Sequence, residues 1–167
     1  MAADRVVLAP SADCGNRSMP GLLIIAHAPL ASALNAVAAH AYPECAGRLA
    51  VLDVPPDWTI DETERALRQA LDPVRDPQAL ILVDVFGATP CNAARRVADG
   101  ADVRLVCGVS VPMLWRVLCY AHDTLDALVG RAMAGAIQGV LQATPQPPQN
   151  QALHSGPNDQ SHARHHQ

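Results

Sequence analysis

The sequence predicts an α/β fold of three layers, a mainly parallel four-stranded sheet with helices on both faces. Three observations predict it. Four short runs, Leu22 to Ala26, Leu49 to Val54, Ala79 to Val83 and Val103 to Cys107, are almost continuously apolar, as strands buried on both faces require. Stretches with helical spacing alternate with those runs, so successive strands are joined by crossovers. Right-handed crossovers restrict the topology, and the doubly wound order 2-1-3-4 sets the first and third strands side by side.

The elements follow in order. Residues 1–19 mix polar residues with one short apolar run and read as a disordered leader, with Met19 as an alternative start to Met1. The first strand is Leu22 to Ala26. Pro29 suits the first turn of a helix over 30–41, which carries Leu30, Leu34, Val37 and Ala38 on one face and ends at Pro43. Leu49 to Val54 is the second strand, and Pro55-Pro56-Asp57 is a turn. A helix over 60–71 has Asp61, Glu62 and Glu64 early and Arg65 and Arg68 later, which matches its dipole. Ala79 to Val83 is the third strand. Thr89 then serves as N-cap and Pro90 as first-turn proline of a helix reaching about Ala98. Val103 to Cys107 is the fourth strand. Ser110 and Pro112 repeat the cap device before a helix over 113–121, and a last helix spans about 123–141. Residues 144–167 are rich in Pro, Gln, Asn and His and read as a disordered polar tail. One domain over 20–143 is expected.

Composition narrows the chemistry. Half of the 167 residues are hydrophobic but only 3% are aromatic, so Leu, Val, Ile and Ala must build the core. A net charge of −4 argues against a nucleic-acid partner, which demands a basic face. All 12 basic residues are Arg, which excludes a lysine nucleophile, a Schiff base and a P-loop lysine. The five cysteines are scattered, with no Cys-x-x-Cys, so a disulfide framework or zinc site is not indicated and a reducing, cytoplasmic setting is expected. No apolar stretch is long enough to span a membrane.

In a doubly wound sheet, ligands bind beyond the C-terminal strand ends, where the strand order reverses. Three segments lie there: Ile24-Ile25-Ala26-His27-Ala28-Pro29, Asp84-Val85-Phe86-Gly87-Ala88-Thr89-Pro90 and Gly108-Val109-Ser110-Val111-Pro112-Met113. The strand order brings His27 opposite Asp84. A carboxylate bonded to one imidazole nitrogen fixes the tautomer and leaves the other nitrogen as a nucleophile. Gly87, Ala88 and Thr89 precede a helix whose first N–H groups lack intrahelical partners, a natural seat for a phosphate dianion. Together these read as phosphoryl transfer onto nitrogen, with no cofactor and no metal required. Taken singly, each residue has a plainer reading: a structural histidine, a turn-forming aspartate, a helix start. His40 and His122 read as surface groups near helix ends, Cys91 as structural, Trp115 as core or dimer contact, and Trp58 as a loop residue.

From Met19 to Leu141 the chain resembles the IIA component of the mannose (fructose-subfamily) group of the bacterial phosphoenolpyruvate-dependent sugar phosphotransferase system. The stretch Asp84 to Asn92 matches that family's Asp-x-x-Gly-Gly/Ala-Ser/Thr-Pro-x-Asn pattern, and Gly108 to Leu114 its Gly-Val-Asn-x-Pro-Met-Leu pattern. The resemblance implies that His27 is phosphorylated at Nε2 with Asp84 on Nδ1. It places Phe86, Gly87, Ala88, Thr89 and, in the third motif, Ser110 around the phosphate. It implies the carrier protein HPr as donor, a separate IIB component or a regulatory target downstream, and a homodimer. Membranes would be met only through a permease complex. A fifth, antiparallel strand exchanged between subunits is also within the family's range. Ala26, Ala28, Pro29 and Ser110 depart from the common pattern, and the tail after Leu141 reads as too short and too polar to be expected to form a IIB domain. The alternatives are the related phosphocarrier of phosphoenolpyruvate-dependent dihydroxyacetone kinase and, from another class, a non-catalytic domain that binds an anion or a protein.

Overall fold

The computed structural model describes residues 19–143. The leader, the polar tail, Cys14 and the four tail histidines lie outside the described residues. The chain runs β1 (Gly21–His27), α1 (Leu30–Ala41), α2 (Pro43–Ala46), β2 (Leu49–Val54), α3 (Ile60–Leu71), β3 (Ala79–Val83), α4 (Thr89–Val97), β4 (Val103–Cys107), α5 (Val111–Cys119) and α6 (Leu125–Gln138).

All four strands are parallel in the order β2-β1-β3-β4, as predicted. Among the described residues there is no fifth strand. Alternation of side chains across the pleat divides the core in two. Leu22, Ile24, Leu80 and Leu82 face α1, α5 and α6. Leu23, Ile25, Ile81 and Val83 face α3 and α4. These strand residues are almost wholly excluded from solvent, and burying each contributes about 1.5–3 kcal/mol before chain entropy is counted.

The register sets the geometry of the site. Ile25 pairs with Val83 across β1 and β3, so His27 and Asp84 emerge at the same edge of the sheet. Val83 pairs with Cys107, which brings the β4–α5 loop to that edge too.

Several local expectations need correction. Pro43 does not merely end α1; it opens the four-residue helix α2, too short to show a periodicity. Pro29 is the N-cap residue of α1 rather than a residue of its first turn. Thr89 is the first helical residue of α4, and the N-cap position falls to Ala88, which has no side-chain acceptor. Helix α5 begins two residues earlier than expected, with Ser110 as its N-cap as predicted. Helix α6 is shorter at both ends, starting after the Thr124 cap and ending before Gly139. Beyond it Val140 and Leu141 are exposed, so their apolar character reflects no core packing here. Trp115 is likewise not in the core: it is 41% exposed and meets the Tyr42 ring edge-on at 6.3 Å. Trp58 is half-buried against the α3/α4 core.

Candidate functional site

His27 is the last residue of β1, where the strand leaves the core and its side chain reaches water. The imidazole is about half exposed, at 49%, and Asp84 is largely covered, at 10%. The ring Nδ1 lies 2.6 Å from Asp84 Oδ2. The same oxygen accepts the His27 backbone N–H at 3.0 Å, while Oδ1 accepts the Val85 N–H at 2.8 Å. Both carboxylate oxygens are therefore held.

Burial works to raise the Asp84 pKa, but the bonds from the His27 amide, the His27 ring and the Val85 amide outweigh it and leave it below its ordinary value. An ionised carboxylate can only accept. Nδ1–H thus donates to Asp84, and Nε2 is the ring nitrogen left without a protein partner among the described residues.

The loop from Asp84 to Ala88 wraps the mouth of α4. Gly87 has φ of 87°, a left-handed conformation that a side chain would strain. Its carbonyl accepts from Asn92 Nδ2 at 2.8 Å, which ties the loop to the helix it precedes. Ala88 has the extended backbone of an N-cap but offers no oxygen, and the first turn of α4 holds no acidic residue. The amide dipoles at this end therefore have no acidic side chain within the first turn to oppose them. Phe86 is 73% exposed, with the Arg95 guanidinium 5.8 Å from its ring centroid.

The third segment joins the site through its backbone. Gly108, at φ 89°, donates to the Val83 carbonyl at 2.8 Å and the Asp84 carbonyl at 3.0 Å. Ser110 Oγ accepts from Met113 N–H at 3.4 Å as the cap of α5. That bond occupies an acceptor of Ser110 and leaves its hydroxyl proton available.

One contributor escaped the sequence reading. Asp53 Oδ1, from the neighbouring strand β2, accepts the Ala31 N–H at 2.9 Å and the Ser32 N–H at 3.2 Å. It supplies through space the cap that Pro29 cannot, and so fixes the segment that follows His27. A lone aspartate in the otherwise apolar strand Leu49–Val54 was the available signal.

With this geometry in hand, comparison with known proteins decides the family. A family model described as PTS system fructose IIA component matches residues 21–133. The chain belongs to this family. No curated protein matches it. Among solved structures, a mannose/sorbose-specific IIA subunit of the phosphotransferase system from Enterococcus faecalis superposes with a TM-score of 0.71 at 20% identity, covering 77% of this chain and 98% of that one. Component EIIA from Streptococcus agalactiae gives 0.64 at 18%, covering 74% and 97%. A IIA protein associated with the fucose utilization operon from Streptococcus pneumoniae gives 0.63 at 21%, covering 74% and 93%. At such identities these likenesses speak for the fold. Membership of the IIA family carries a general role in phosphotransferase-system phosphoryl transfer. None of the described helices is long and apolar enough to cross a membrane.

Proposed function

We propose that this IIA protein is a phosphocarrier that accepts a phosphoryl group on His27 from the phosphohistidine of HPr. It then passes the group to a separate IIB component or presents it as a regulatory signal. The observation that carries this reading is the 2.6 Å bond between His27 Nδ1 and Asp84, which leaves Nε2 free and facing solvent.

In the transfer, the Nε2 lone pair attacks phosphorus as the phosphorus–nitrogen bond of the donor breaks, and the donor imidazole leaves with that electron pair. Asp84 stabilises the positive charge that His27 gains as its second nitrogen is substituted. The phosphoryl oxygens sit against the backbone from Phe86 to Thr89, with the Thr89 and Ser110 hydroxyls as further donors. Positioning and fixed dipoles supply the rate enhancement. Exposed Val85 and Phe86 rim the site and suit contact with a protein donor rather than a free small molecule. The reading carries with it a cytoplasmic homodimer that reaches membranes only through a permease complex, and the exposed Trp115 suits a subunit contact.

The test is the intact mass of the chain after incubation with phosphoenolpyruvate, enzyme I and HPr. The expected result is one acid-labile phosphate per chain, lost in His27→Ala. No gain with active cognate donors would leave a non-catalytic binding domain in its place.

A further inference from the structure

Cys91 and Cys107 are free thiols whose sulfurs lie 3.6 Å apart, directly beneath the two loops that build the site. Cys91 is the third residue of α4, two positions after Thr89, and is sealed from solvent. Cys107 is the last residue of β4 and is half-buried. It immediately precedes Gly108, whose N–H bonds the Asp84 carbonyl. Both face the α3/α4 side of the sheet. Cys45 packs on the opposite side, and Cys119 donates to the Tyr42 hydroxyl there. No other described cysteine shares the Cys91–Cys107 contact.

We propose that Cys91 and Cys107 are a redox modification site, closing to an intramolecular disulfide that displaces the His27–Asp84 site. The oxidant is a low-molecular-weight disulfide. Cys107, the member that solvent reaches, loses its proton, and its thiolate attacks one sulfur of the reagent and expels one thiolate. Cys91 then loses its proton, attacks the Cys107 sulfur and expels the second. Two electrons pass from the protein thiols to the reagent, and the two protons end on the two released small thiols.

The closure moves the site because the bond is much shorter than the contact. A sulfur–sulfur bond is about 2.0 Å, so the pair must approach by roughly 1.5 Å. The first turn of α4 on one side and the Cys107–Gly108 junction on the other absorb that movement. The first carries the anion seat and the second holds the backbone of Asp84. A displacement of that order at a reacting site costs about tenfold to a hundredfold in rate.

Burial pushes the Cys107 thiol up to about 11, reinforced by the bond with Cys91 and by the Asp84 carboxylate and opposed by Arg95. Little thiolate exists at neutral pH, so the pair closes slowly, and its rate climbs about tenfold per pH unit below that value.

The test uses the full chain carrying Cys14→Ser, Cys45→Ser and Cys119→Ser, incubated with glutathione disulfide. The expected product is lighter by two hydrogen atoms, retains no glutathione, and joins the tryptic peptides ending at Arg95 and Arg116. Dithiothreitol restores the starting mass. Adding Cys91→Ala should halt the reaction at a stable glutathione adduct on Cys107, and adding Cys107→Ser should prevent it. A chain that keeps both thiols, or stops at the adduct with Cys91 present, overturns the proposal. The effect on the site is read first by the His27 ring resonances, which shift on oxidation; unmoved resonances in the cross-linked chain overturn the coupling. A roughly tenfold slower phosphoryl uptake by the oxidised chain rests in addition on the phosphocarrier reading. Absence of uptake in the reduced chain would strike that reading and leave the cross-link standing.

Discussion

Helices α3 and α4 lie on the same face of the sheet, yet their first turns are built in opposite ways. At α3, Thr59 Oγ1 accepts the Glu62 N–H at 3.3 Å, and Glu62 Oε2 accepts the Thr59 N–H at 2.8 Å, a complete capping box. Asp61 and Glu62 add negative charge to the turn. At α4 the N-cap residue is Ala88, and no acidic side chain follows. The two helices are otherwise joined: Arg96 of α4 bonds Asp61 at 2.7 Å and Glu64 at 3.3 Å on α3. One helix end is thus capped by its own sequence, and its neighbour carries no side-chain cap. The phosphocarrier reading proposed above assigns that uncapped end to the phosphoryl group.

The strongest test of the phosphocarrier reading behind this contrast is at the carboxylate bonded to the His27 ring. Asp84→Ala should lower the single-turnover rate of phosphoryl transfer by about 10²–10⁴-fold, since the ring then loses its tautomer control and its charge partner. The thermal transition should remain cooperative. A rate equal to the wild type would remove Asp84 from the mechanism. A sharper test converts the open helix end into a closed one. Ala88 already has the extended φ and ψ of an N-cap, so Ala88→Asp needs no backbone change. It should raise stability by about 0.5–2 kcal/mol. It should also slow phosphoryl uptake by at least about tenfold, because a carboxylate now occupies the anion seat. A variant that is both more stable and as fast would show that the mouth of α4 holds no phosphate.

How legible was this division in the sequence? The strands were nearly complete, because a parallel strand covered on both faces must be a continuous apolar run, as Ala79–Val83 is. The pairing of His27 with Asp84 followed from strand order alone. The N-cap of α4 was misread, since Thr89-Pro90 carries the residues of a cap one position too late. Only the backbone shows that Ala88 occupies that position. Asp53 was missed because its partners, Ala31 and Ser32, are more than twenty residues away, and capping rules look only along the chain. The Cys91–Cys107 contact is hidden for the same reason: it depends on how α4 settles over the end of β4.

The closed end can be tested in the same manner, with smaller effects. Thr59→Ala removes both the acceptor for Glu62 N–H and the partner of its carboxylate, and should cost about 1 kcal/mol in urea unfolding. Phosphoryl uptake should not change, because the substitution touches only α3. A matching loss of rate would mean that the two helix ends are not independent.

The smallest effect distinguishes the two carboxylates by acid. The Glu62 pKa lies below the ordinary value of a glutamate, chiefly through the Thr59 backbone bond and then the Thr59 side chain. Asp84 lies below 3.8 because its hydrogen bonds prevail over burial. A carboxyl group whose folded pKa is depressed binds its proton more weakly in the native state. It therefore adds stability above the unfolded pKa and surrenders it as pH falls through the folded value. The stability gap between wild type and Glu62→Gln should accordingly be constant from neutral pH down to about 5 and shrink below about 4. Glu62 is exposed, so added salt should narrow that gap at neutral pH, whereas the corresponding gap for Asp84→Asn, with its carboxylate largely covered, should respond less. Equal salt sensitivity in the two variants would contradict the view that one acidic group serves a helix in water while the other, itself largely covered, serves the His27 imidazole.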